Sequence, residues 1–190
     1  MVEVLVTLII ILIGLLGIAG LQARAQVSEL ESYQRAQALI LMSDIVDRVN
    51  VNRATVACFA MTTNTTTGRP FIGTAGSGHM SAPACTASTT QYNAQAIQTL
   101  TLIDNLLEGA AESLGGSNVG AMIGARACIS YDATTELIGQ PGTGLYTIIV
   151  TWQGMADLIA PINMNCANGL YGTEAKRRAV STTVRMANLF

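Results

Sequence analysis

The sequence has a single histidine, His79, and that scarcity removes most catalytic chemistry at the outset. A Ser-His-Asp arrangement would have to rest on a Gly/Ser-rich loop. No cysteine or carboxylate stands near His79 at metal-ligand spacing, so a solvated loop residue is expected there. The expectation is a protein that is not an enzyme, with no metal and no other cofactor. Charge is scarce as well: 12% of residues are charged and the net charge is −2, which gives neither a basic surface for nucleic acid nor an acidic solvating tail. Lys176-Arg177-Arg178 is a short basic cluster, read as solvated charge at the entry to a strand, and direct DNA binding is not evident. Gly142-x-Gly144 leads into a strand instead of joining a strand to a helix, so it reads as a turn and not as a phosphate cradle. The Asn64-Thr65-Thr66 sequon carries little weight.

Closely spaced cysteine pairs are missing too. Cys58, Cys85, Cys128 and Cys166 are far apart, which disfavours a C-x-x-C metal or redox site and favours disulfides in an oxidising compartment. Four cysteines allow three connectivities, which the sequence does not separate; the pairing adopted as the expectation is Cys58 with Cys85 and Cys128 with Cys166. The alternative is buried thiols, since cysteine is also a small core residue.

What the chain does have is hydrophobic surface, concentrated at one end. From Val2 to Leu21 it reads VEVLVTLIIILIGLLGIAGL, twenty residues in which Glu3 is the one charge, and the next charge is Arg24. At about 1.5 Å per residue this is one bilayer width of helix. A cleavable secretory signal has a basic start, a shorter apolar run and a small-residue cleavage site, and this segment has none of them. A retained membrane helix is expected. The following stretch to Phe59 has no Pro or Gly, and Leu30, Ala38, Leu41, Ile45 and Val49 keep to one stripe with charges around it, so the helix is expected to continue as an amphipathic half.

Residues 60–95 are rich in Thr, Gly, Ser and Pro and read as loop. Apolar residues then recur at three and four from Ala94 to Leu114, predicting a shorter helix stopped by Gly115-Gly116. Beyond it the period falls to two. Ala127–Tyr131, Leu145–Trp152 and Ala179–Met186 read as strands of a small antiparallel sheet. The expected fold class is α+β: residues 1–23 a membrane or filament-core helix, 24–57 its amphipathic continuation, and 58–190 a globular head in which the helix packs on the sheet.

An apolar helix with one early glutamate, an amphipathic continuation and a C-terminal sheet resembles the type IV pilins. MVEVLVTLIIILIGLLGIAGLQ is similar to the mature N-terminus of the PilV-type minor pilins, the type IV pilus modification proteins. MSDIVDRVNVNR, from Met42 to Arg53, resembles that family's DMADRMRANR stretch, and YTIIVTW, from Tyr146 to Trp152, its central strand. Arg178 to Val184 resembles its last strand. Members carry a basic leader ending in Gly before a methylated aromatic residue, with the glutamate fifth in the mature chain. Here the glutamate is Glu3, so the chain as given is expected to start slightly inside the mature protein or from a late start. Many major pilins also have a Pro near the position of Gly20.

The resemblance implies that Glu3 is the subunit-assembly residue, pairing with the N-terminal amine of a neighbouring subunit. A carboxylate inside a bilayer costs roughly 2.5–3.5 kcal/mol, which fits retention for a function. The bland alternative is a headgroup-level anion at the helix N-terminus. Gly14, Gly17 and Gly20 would allow close helix approach, although glycine is simply common in membrane helices. The implied partners are other minor pilins, the major pilin, the pilus assembly platform, the inner membrane before assembly, and the prepilin peptidase on the precursor. The implied location is the inner membrane with a periplasmic head, then the extracellular pilus near its tip. Two rivals stand beside this reading: a type II secretion pseudopilin, and a signal-anchored periplasmic enzyme or binding domain.

Overall fold

The computed structural model describes residues 2–109, 113–114, 117–118, 122–140 and 142–186. It is a mixed α+β fold with a long apolar N-terminal helix and a small antiparallel sheet. The helix α1, Val2–Val51, is unbroken over 50 residues. It was expected to run through residue 57 but stops earlier, at a local competition for its carbonyls. The Asn52 side chain donates to Arg48 O at 2.8 Å, and the Thr55 hydroxyl donates to Asn52 O. Such bonds offer the backbone an alternative to the helix, and Arg53–Phe59 continues as a 3-10 segment with Thr55 in a non-helical conformation.

The second helix, α2, spans Thr90–Leu107 and turns Ala96, Leu100, Ile103 and Leu107 inward. Both ends differ from the expected Ala94–Leu114. Thr89 caps the start, accepting from Tyr92 N. The stop is Gly109, at φ 82, whose N–H bonds Leu106 O. A left-handed residue just after the last turn suits glycine. Ser113–Leu114 is a short strand, β2, paired with β3, Ser117–Asn118; Ala110 and Gly115-Gly116 lie outside the described residues.

The main sheet has four strands in the order β1-β4-β5-β6, all antiparallel: β1 is Ile72–Gly73, β4 Arg126–Asp132, β5 Leu145–Gln153 and β6 Arg177–Arg185. The edge strand β1 falls inside the segment read as loop, two residues being too few for a period to show. Alternation along β5 sends Tyr146, Ile148, Val150 and Trp152 into the main core with Ile129, Ala38, Ile45, Val49 and Leu100. The opposite face is covered as well, because Cys128 and Ile149 pack with Phe71, Cys166, Ala167 and Tyr171. Burial on both faces explains why Ile148-Ile149-Val150 is an uninterrupted apolar run.

Two disulfides fasten the head. Cys58–Cys85 ties the 3-10 segment to the loop before α2, and Cys128–Cys166 ties β4 to the long β5–β6 connection. Crosslinks of this kind suit an oxidising compartment.

Candidate functional site

The most exposed element of the described residues is the first part of α1. Every residue from 2 to 30 is exposed, so about 44 Å of helix projects from the head at about 1.5 Å per residue. Its apolar part is long enough to cross a membrane. Glu3 sits on the first, exposed turn of this helix. Gly14, Gly17 and Gly20 have no atom within 4 Å of the position a Cβ would take, so within a single chain nothing requires glycine there.

Gripping of the helix starts at Glu31. Its Oε1 accepts from Met155 N at 3.1 Å, Ala156 N at 3.0 Å and Arg178 Nη2 at 3.1 Å. The Ala156 amide first, with the Arg178 guanidinium, lowers its pKa below the ordinary carboxylate value despite partial burial. Above it Gln34, Ala38, Ile45 and Val49 are buried against the sheet. Leu30, which shares the sequence stripe, is 49% exposed because it lies below this contact. The amphipathic face therefore begins about one turn later than the pattern predicts.

The basic cluster is not solvated charge, as expected from the sequence, but structural. Arg177 is 2% exposed and pairs with Glu174 at 2.6 Å. Arg178 binds Glu31, Ala156 O and Ala175 O. An Arg-Arg step at a strand start is consumed by the fold.

Sequence reasoning missed Arg126. Its guanidinium is buried and donates to Thr74 O at 2.8 Å, Ala75 O at 3.0 Å and Gly124 O at 3.2 Å. It also lies 5.5 Å from the Phe71 ring centroid and 4.9 Å from that of Tyr171. Burial pushes the Tyr171 hydroxyl above its ordinary pKa. No carboxylate pairs with Arg126 among the described residues, so carbonyls and aromatic faces stabilise the cation. An arginine opening an apolar strand was the available signal.

His79 also departs from expectation. It is partly buried, bridges to Phe71, and places Nε2 3.0 Å from Asp104 Oδ1 on α2. The carboxylate missing from its sequence neighbourhood arrives from 25 residues away. A polar groove of 460 Å³ lies on the outer sheet face near Cys128, lined in part by Thr62, Ser130, Asp132, Thr147 and Asn163.

Comparison with protein-family models, with curated proteins and with solved structures returned no match for this chain.

Proposed function

We propose that this protein is a minor type IV pilin of the PilV type, a non-enzymatic structural subunit. Its exposed helix half lies in the inner membrane and then in the filament core, while its head faces the periplasm and later the exterior. It helps to initiate or cap the pilus with other minor pilins, next to the major pilin and the assembly platform, and so supports adhesion, twitching motility or DNA uptake. Prepilin peptidase acts on its precursor. One observation carries this reading: α1 runs without a break from an exposed apolar half into a half clasped by the head. A simple tether needs no such continuity, whereas a subunit that must hold its head at a fixed height on a helical core does.

Glu3 is the assembly residue in this reading, neutralised by a neighbouring subunit's N-terminal amine when it enters the filament. The test is recovery of the full-length protein from sheared surface pili and from membranes, wild type against Glu3→Ala, with co-purifying proteins identified by mass spectrometry. Wild-type protein in the sheared fraction beside other pilins, lost in the variant, is the expected result. Confinement of both forms to membranes without pilin partners would sink the proposal.

A further inference from the structure

We propose that His79, Asp104 and Glu108 form a binding site for a divalent transition-metal ion, with zinc as the best match. One ligand atom from each lies within 4.8 Å of the others. Asp104 and Glu108 are four residues apart at the end of α2, a spacing that stacks two side chains on one helix face. His79 comes to that face from the segment following β1. Two adjacent carboxylates repel unless a cation or proton intervenes, and one imidazole with two carboxylates is a donor set suited to zinc and its neighbours. Calcium needs six to eight oxygens, which this cluster does not provide.

The supports are already in place. Asp104 Oδ1 accepts from Gly73 N at 2.6 Å, the kind of backbone contact that orients a metal-binding carboxylate. Gly73 itself is fixed: its φ is +104, and a Cβ there would stand 2.4 Å from Ala125 O. On the other side, His79 N donates to Gly76 O at 3.0 Å, Met80 N donates to Phe71 O at 2.8 Å, and the imidazole is 6.1 Å from the Phe71 ring. Zinc bonds of about 2.0–2.1 Å at a tetrahedral angle separate ligand atoms by about 3.3 Å. His79 Nε2 and Asp104 Oδ1, now 3.0 Å apart, need to open by only a few tenths of an ångström. The ion then takes the place of the hydrogen between them, with the imidazole proton carried on Nδ1. Glu108, exposed at the helix end, swings in as third ligand and leaves a fourth position for water. Bound metal would fasten the end of α2 to the β1 edge of the sheet.

This site does not depend on the pilus reading. The plain alternative is a structural His–Asp pair in which Glu108 takes no part. The experiment is calorimetric titration of the untagged full-length protein in detergent micelles with ZnCl₂, with CoCl₂ absorption as a second probe of a low-coordinate nitrogen–oxygen site. The expected result is one equivalent of zinc on wild type, binding weakened at least about ten-fold by Glu108→Gln and lost in His79→Ala. Should His79→Ala fold poorly, Glu108→Gln, on an exposed residue, still decides. Absence of saturable binding to wild type, or equal affinity in wild type and Glu108→Gln, would overturn the proposal.

Discussion

Glu31 and Arg178 meet at 3.1 Å although 147 residues separate them in the chain. Their contact joins the long helix to the entry of the last strand, and the same carboxylate holds two amides of the β5–β6 connection. Glu31→Ala removes an acceptor from three donors, and for a partly exposed group we expect a loss of about 1–2 kcal/mol in thermal or urea unfolding.

The same contact sets an acid response. The folded-state pKa of Glu31 is lowered from 4.5 by the Ala156 amide and Arg178. Its contribution is therefore complete above the unfolded value and disappears as pH falls from that value through the lowered one. Unfolding midpoints measured from pH 7 down to pH 3 should fall less steeply in Glu31→Gln than in wild type. Parallel curves would show that the contact contributes nothing to the acid response.

Arg126 is expected to resist conservative replacement. Arg126→Lys keeps the charge but reaches fewer of the three carbonyls and loses the guanidinium contacts over the Phe71 and Tyr171 rings. A destabilisation of about 1–3 kcal/mol follows from leaving a buried cation with fewer partners. A lysine variant that unfolds at the wild-type denaturant midpoint would contradict this.

The disulfides close loops of similar size, with sequence separations of 27 and 38, so chain entropy assigns each about 3.5–4 kcal/mol. Their accessibility differs. Cys128 and Cys166 are buried, while Cys58 and Cys85 are partly exposed. Under graded reductant, alkylation followed by peptide mapping should find Cys58 and Cys85 labelled first.

Two glycines with like backbone angles should behave differently. Gly68, at φ +61, would put a Cβ 2.0 Å from Asn165 O, whereas Gly139, at φ +76, has open space. Gly139→Ala is expected to cost about 1–2 kcal/mol of left-handed strain. Gly68→Ala adds a backbone collision beside Cys166 and should lower the melting temperature markedly more.

The elements that could be read from the sequence are those whose signal is local. A twenty-residue apolar run, the spacing of Ala38, Ile45 and Val49, and the alternation through Tyr146–Trp152 each state their structure within a few turns or pleats. What could not be read depends on partners distant in the chain. Arg178 looks solvated until Glu31 is brought to it, and His79 looks solitary until α2 delivers Asp104. The end of α2 was misplaced for a related reason: Ala110 and Leu114 extend the apolar period past Gly109, but the backbone at Gly109 has already turned left-handed.

The clasp between α1 and the head also has a mechanical meaning. The held face of α1 runs from Glu31, bound by the connection after β5, through Gln34, Ala38 and Ile45 to Val49, a strip about 28 Å long on the helix. Tension along α1 loads that strip in shear, all contacts sharing the force, whereas a sideways pull on the exposed half works as a lever that opens it from Glu31 upward. Separation of helix and head is thus easiest in the direction in which the Glu31 contact is the first to part.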